Sequence, residues 1–105
     1  EVGHDETLKE VLETARAGEI RDARKTLTTL LDDEGFEGQE LLRDLLGIAD
    51  RYPEEFGEAD VVRLHRLAGS VDLDLASGLD DRLHLTHLLS AWATGQHELD
   101  GERLA

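Results

Sequence analysis

The segment Ser77–Trp92, SGLDDRLHLTHLLSAW, decides the fold because it sets a helix start directly before a leucine stripe. Asp80 or Asp81 is suited to cap a helix, and the apolar residues behind them recur at helical spacing: Leu85, Leu88, Leu89 and Trp92. At about 100° per residue, Leu83 falls nearly opposite this stripe. Leu83 therefore either tucks under the preceding turn or meets another molecule.

The same helix carries a candidate metal site. Asp80, His84 and His87 stand at i, i+4 and i+7 and share one face, and a carboxylate with two imidazoles is able to hold zinc. The familiar two-histidine zinc pattern uses i and i+4 instead, and no second acid–histidine motif appears on another helix. The pattern favours polar residues beside an apolar stripe, and a small metal-binding or hydrolytic protein stays as the alternative.

Helical periodicity also dominates the rest of the chain. The apolar positions of the other predicted helices are Leu8, Val11, Leu12 and Ala15; Ile20, Ala23, Leu27, Leu30 and Leu31; Leu41, Leu42, Leu45, Leu46, Ile48 and Ala49; and Val61, Leu64, Ala68, Val71 and Leu75. Thr7 and Glu10 suit a capping box on the first, and Gly78 suits the end of the last. The third has the widest apolar face and is expected at the centre.

The predicted fold is all-α, a compact bundle of about five helices with short connections. No segment alternates with the period of a strand, and PEEFGE around Pro53 is expected to be a loop or short turn. We expect residues 1–95 to form a single helical domain and residues 96–105, QHELDGERLA, to form a polar C-terminal tail.

The composition excludes several classes of function. The chain has no cysteine, and it contains neither a phosphate-binding glycine loop nor a G-x-S-x-G elbow. We therefore predict no catalytic residues and no cofactor. No apolar run approaches the roughly 20 residues of a membrane span, so a cytoplasmic protein without membrane contact is expected. The chain starts at Glu1 and lacks methionine, so its N-terminus is processed or the chain is part of something longer.

The net charge of −14, from 25 acidic and 11 basic residues, limits the partners. A surface of this sign repels phosphate backbones, so direct nucleic-acid binding is not expected. Lys9 and Lys25 are the only lysines. An evenly acidic, lysine-poor chain suggests a halophile, whose salt screens the self-repulsion, and an acidic mesophilic domain is the alternative.

Two stretches resemble the C-terminal collar domain of archaeal and eukaryotic replication factor C small subunits. Glu6–Leu42 resembles the start of that domain, including its glycine-rich link, here Gly35–Glu40. The opening segment resembles the family pattern D-aromatic-R-L-x-E-G-x-N-E-R-I-Q-L-x-x-L-L. The matching residues are Asp72, Leu75, Gly78, Arg82, Leu85, Leu88 and Leu89, with Asp81 for glutamate and Leu83 for isoleucine. The departures are Leu73 for an aromatic residue, Asp74 for arginine, Ser77 for glutamate and His84 for glutamine.

The resemblance covers roughly Asp5 to Trp92 and implies an all-helical domain that follows an AAA+ ATPase module. In that family such domains pack side by side into a collar that holds together a clamp loader, which places sliding clamps on primed DNA. The ATP site and most DNA contacts belong to the AAA+ part. The resemblance thus implies a non-catalytic oligomerisation domain whose partners are other clamp-loader subunits, and the departures suggest a diverged paralogue with different partners.

The interface candidates lie on the outward side of the opening segment: Arg82, Leu83, His84 and His87. We expect the isolated domain to be a monomer or weak dimer, because contacts below about 1,200 Å² are typical of weak association. An unrelated acidic helical adaptor that binds a partner helix is a further alternative.

The net charge predicts that salt stabilises the fold. Between about 0.1 M and about 1 M, the screening length falls from about 10 Å to about 3 Å, which weakens repulsion among the acidic side chains. The temperature of thermal unfolding should therefore rise when potassium chloride is raised from about 0.1 M to about 2 M. A melting temperature that stays flat or falls would contradict the halophile hypothesis.

Overall fold

The computed structural model describes residues 2–77 and 80–96, which form helices joined by turns and contain no strand. In this part of the chain the helices are α1 (Val2–Arg16), α2 (Ile20–Asp32), α3 (Gly38–Arg51), α4 (Pro53–Phe56), α5 (Glu58–Ala76) and α6 (Asp81–Ala93). The prediction of an all-α bundle is confirmed, and the predicted short turn after Pro53 is the single-turn helix α4. The predicted cap at Gly78 lies outside the described residues, as does the predicted tail 96–105 except for its first residue, Gln96.

The first helix does not start where the sequence predicts. The capping box at Thr7 is wrong, because α1 already begins at Val2. Contacts with other elements hold this first turn: Asp5 accepts a hydrogen bond from Arg51 at 2.8 Å, and the His4 ring meets the Phe36 ring edge to face. A capping box does occur at α3, where Glu37 and Glu40 bond each other's backbone.

One continuous core fills the bundle, and α6 lies at its centre. The α6 helix packs against α1, α2, α3 and α5, which are all the other long helices of the described chain. The prediction that the third helix is central is therefore wrong. The buried surface of α6 is wider than its leucine stripe, since Ala91 is buried as well. The predicted apolar positions of the other helices are buried, with Ile20, Leu31 and Leu46 partly so.

The N-terminal end of α6 is fixed by two neighbouring aspartates with different roles. Asp80 is the N-cap, and its side chain accepts a hydrogen bond from the Leu83 amide at 3.2 Å. The carboxylate of Asp81 reaches another helix instead and accepts a hydrogen bond from the Gly38 amide at 3.0 Å, at the start of α3. The sequence did not decide which of the two aspartates caps α6. In the structure Asp80 caps this helix, and Asp81 bonds to the start of α3.

The C-terminal end of α6 is held by the side of α5. Arg63, whose side chain is only 10% exposed, donates hydrogen bonds to the carbonyls of Trp92 and Gln96, each at 2.7 Å. The Trp92 indole donates in turn to the carbonyl of Asp60 at 2.9 Å. A guanidinium is well suited to this place, because the last carbonyls of a helix have no partner within the helix. The orientation of α6 is thereby set at both ends.

The close approach at Gly38 predicts that a methyl group is not tolerated there. A Cβ on Gly38 would lie 2.5 Å from the Asp81 carboxyl carbon, so Gly38→Ala should displace Asp81 and break its bond. We expect a loss of about 1–3 kcal/mol in the free energy of unfolding, measured by chemical denaturation.

Gly47→Ala is the matched control, because Gly47 lies in the same helix and a Cβ there meets nothing within 4 Å. This variant should be neutral or slightly more stable, given the better helix propensity of alanine. In an Asp81→Ala background, Gly38→Ala should cost little, since the carboxylate that it meets is gone. Equal stability of the Gly38 and Gly47 variants would contradict the steric argument.

Candidate protein interface

The outward side of α6 carries the sequence-predicted candidates. Leu83 is 60% exposed, which excludes the alternative that it tucks under the preceding turn. Arg82 and His87 are also exposed, whereas His84 is half-buried. The leucine stripe of the same helix is fully buried. The opening segment therefore faces the core on one side and presents an exposed leucine on the other.

Two more large apolar side chains are exposed on α5, Leu73 at 76% and Val62 at 61%. Leu73 and Leu83 emerge at the same end of the α5–α6 pair, because their chain neighbours Asp74 and His84 contact each other. The Asp74 carboxylate and His84 Nδ1 are 3.6 Å apart. Two exposed leucines at the same end of a helix pair are candidates for contact with a partner.

Leu73 and Val62 belong to one stripe along the outside of α5. The exposed residues of this stripe recur at helical spacing: Ala59, Val62, Arg66, Gly69 and Leu73. They lie opposite the buried stripe of the same helix, which includes Val61, Leu64, Ala68, Val71 and Leu75. The residue pattern contains this signal, but the stronger inward stripe hides it, since both stripes have the period of a helix.

Two of the predicted candidates make contacts within the chain. Arg82 donates a hydrogen bond to Asp32 at 3.1 Å, which links the start of α6 to the end of α2. His84 lies beside Asp74, as described above, so two of the four positions that depart from the family pattern face each other across α5 and α6. The exposed ion pair between Arg82 and Asp32 is worth about 0–1 kcal/mol, so Arg82 is able to change partners.

The three residues proposed for a metal do not act together. Asp80 accepts the Leu83 amide, and His84 turns to Asp74. Within residues 2–77 and 80–96, no cluster of three or more histidine and carboxylate side chains is arranged to hold a metal ion. The shared helix face is therefore not sufficient to bring the ligands to one point.

Ion pairs with displaced pKa values occur between other elements. The hydrogen bond from Arg51 lowers the pKa of Asp5 and raises that of Arg51 itself, which ties α3 to α1. The hydrogen bond between Lys9 and Glu55 raises the pKa of the lysine and lowers that of the glutamate, which ties α1 to α4. These pairs join α1 to α3 and to α4, and neither of them involves a residue of α5 or α6.

Among the described helices, none combines the length and apolar character needed to cross a bilayer. We define the α5–α6 face by the exposed apolar residues Val62, Leu73 and Leu83 together with His84 and His87. Charged side chains lie beside these residues: Arg66 on the α5 stripe, and Asp74 and Arg82 near the junction of the two helices. Exposed apolar side chains with polar residues around them suit contact with another protein.

Comparison with known proteins identifies relatives of the whole described bundle. The family model described as "Replication factor C C-terminal domain" matches residues 3–91. The replication factor C small subunit of Methanosarcina acetivorans is 31% identical over 94 residues, which are 84% of this chain and 28% of that protein. The replication factor C small subunit of Natronomonas pharaonis is 31% identical over 90 residues, covering 86% of this chain and 27% of that protein.

A more distant relative, the replication factor C small subunit of Staphylothermus marinus, is 26% identical over 96 residues, covering 88% of this chain and 28% of that protein. No solved structure gives a significant match. The chain spans less than a third of the length of these curated relatives. The matched residues run from α1 almost to the end of α6 and include the α5–α6 face. The chain therefore belongs to the replication factor C C-terminal domain family.

Proposed function

We propose that this domain is the collar module of a clamp-loader subunit. It holds the subunits of a replication factor C-like loader together, so that the parent protein takes part in sliding-clamp loading during DNA replication. The catalytic ATPase part belongs to the remainder of the parent, and the domain itself is not an enzyme. Membership of the family supports this function, as does the likeness to replication factor C small subunits.

The observation that carries the proposal is the exposure of Leu73 and Leu83 within the segment that resembles the best-marked pattern of the family. Fully burying a leucine side chain is worth about 1.5–3 kcal/mol. Leu73 and Leu83 lack this stabilisation in the free domain, because both side chains are exposed to solvent. A neighbouring subunit that covers them recovers it, which favours assembly over a role for the domain alone.

The departures from the family pattern bear on the choice of partner. Asp74 stands where the pattern has arginine, and it contacts His84, which stands where the pattern has glutamine. A charge reversal at an exposed position changes which neighbouring side chains are attracted and which are repelled. We infer a diverged paralogue whose partner subunits differ from those of the usual small subunits.

Several further properties belong to the same proposal. We propose residues 1–95 as the folded unit and residues 96–105 as a tail, whose first residue Gln96 is bonded to Arg63, and we place the parent in the cytoplasm. The isolated domain is a monomer or weak dimer, because a single domain provides only part of the loader's contact area. A haloarchaeal source is supported by the net charge of −14 and by the relative from Natronomonas. The metal-binding and unrelated-adaptor alternatives lack comparable support.

Replacing Leu83 tests the proposed interface directly. In the intact parent subunit, Leu83→Asp should reduce co-purification of the partner subunits at least several-fold, because it puts a charge where an apolar contact forms. The fold should persist, since Leu83 is exposed, and circular dichroism of the domain checks this. Leu73→Asp should act in the same direction.

Gly47→Asp is the matched control, because it adds the same charge to an exposed position of α3 where a Cβ meets nothing within 4 Å. This variant should co-purify as well as the wild type. Normal assembly of both leucine variants would contradict the α5–α6 interface. Loss of helicity in Leu83→Asp would show instead that this leucine supports the fold.

A further inference from the structure

A basic patch interrupts the otherwise acidic surface on the outside of α2. Arg21, Arg24 and Lys25 line one surface depression of about 510 Å³ together with Thr28, Thr29 and Arg82. The patch thus gathers four of the chain's 11 basic residues. Arg82 is paired with Asp32, but no carboxylate in residues 2–77 and 80–96 lies within 4.0 Å of the other three basic groups.

The basic residues of α2 lie towards its N-terminal end, which also carries acidic residues. Arg21, Arg24 and Lys25 lie in the first two turns beside Glu19 and Asp22, the last turn has no basic residue, and Asp32 and Asp33 stand at the other end. Basic residues stabilise a helix near its C-terminus rather than near its N-terminus, so the helix dipole does not account for their position. Basic residues without an ion-pair partner in the described part of the chain, on a chain of net charge −14, point to a contact outside the chain.

The neighbouring helix offers a complementary surface. Glu6, Glu10 and Glu13 lie on the outer side of α1, opposite its buried residues, and all three are exposed. No basic group of the described chain lies within 4.0 Å of Glu6 or Glu10. The α1 and α2 helices pack against each other, so each copy carries an acidic stripe and a basic patch on one helix pair.

We propose that the basic patch of α2 docks the acidic stripe of α1 from a second copy of this chain. This inference rests on the proposed collar function and adds the charge pairing that selects the neighbouring domain. Copies with one acidic and one basic surface are self-complementary, and opposite charges fix the register of a contact. Arg82 joins the patch to the α5–α6 face, because the next residue is the exposed Leu83. The two surfaces are therefore adjacent at the start of α6.

A charge exchange between two variants tests the pairing. The first variant carries Arg21→Glu and Lys25→Glu, and the second carries Glu6→Lys and Glu10→Lys. Each alone should self-associate more weakly than the wild-type 105-residue chain by about tenfold in Kd, because like charges then meet. An equimolar mixture should regain wild-type association, since each variant supplies the charge that the other has lost. Sedimentation equilibrium over a concentration series at constant salt measures the dissociation constant of the wild type, of each variant and of the mixture.

The controls separate charge pairing from other causes. Arg43→Glu changes the net charge as much as Arg21→Glu does, at an exposed base that also has no carboxylate within 4.0 Å in the described part of the chain. Only Arg21→Glu should weaken association. The changed side chains are all exposed, and within the described residues none of Arg21, Lys25, Glu6 and Glu10 has an ion-pair partner within 4.0 Å. The variants should therefore keep the fold, which circular dichroism checks.

Three results would contradict the proposed pairing. In the first, the mixture of the two variants associates as weakly as each variant alone. In the second, the wild-type chain stays monomeric at the highest concentration, and in the third, Arg21→Glu and Arg43→Glu change the dissociation constant equally. Binding of a labelled DNA duplex that disappears in the Arg21→Glu/Lys25→Glu variant would assign the patch to nucleic acid instead. None of these results changes the expected effect of Leu83→Asp on the parent complex. A failure of the charge pairing between α1 and α2 is therefore distinguishable from a failure of the collar function.

Discussion

The carboxylate of Asp81 in contact with the Gly38 amide is the constraint on which the rest of the structure depends. This bond joins the first residue of α6 to the first residue of α3, and only a glycine leaves room for the carboxylate. It satisfies an amide at a helix start that has no partner within its own helix. Asp80 caps the N-terminus of α6, and Asp81 ties the same end to α3. Together they fix both the position and the rotation of the central helix at its start.

Fixing α6 at both ends determines what the surface presents. Arg63 and Trp92 hold the far end, so the helix cannot rotate to bury Leu83 without losing these hydrogen bonds and the packing of its leucine stripe. The exposed leucine is thus a consequence of a rigid attachment rather than of a loose end. A surface fixed in this way loses little conformational freedom on binding, which suits a permanent contact between subunits.

Much of the fold follows from apolar spacing, because a buried stripe with the period of a helix is a strong signal along α1, α2, α3, α5 and α6. The start of α1 and the central place of α6 do not follow from it, since both depend on contacts between elements distant in sequence, such as Arg51 with Asp5. In the candidate site, Leu83 is identifiable from the sequence, because it is an apolar residue on the side of its helix opposite the buried leucine stripe. The outward stripe that contains Leu73 also has the period of a helix, but the stronger inward stripe of α5 hides it in the sequence. The bases of α2 without an ion-pair partner are recognised only when neighbouring helices are placed, because pairing depends on the whole bundle.

Hydrogen–deuterium exchange of the parent subunit, free and within its assembled complex, tests the assembly role most directly. If the domain is a collar module, peptides from the C-terminal part of α5 and the N-terminal part of α6 should exchange more slowly after assembly, because a neighbouring subunit covers Leu73 and Leu83. The peptide around Gly47 on α3 serves as an internal reference. Unchanged exchange across α5 and α6, with protection confined to the remainder of the parent, would contradict the account.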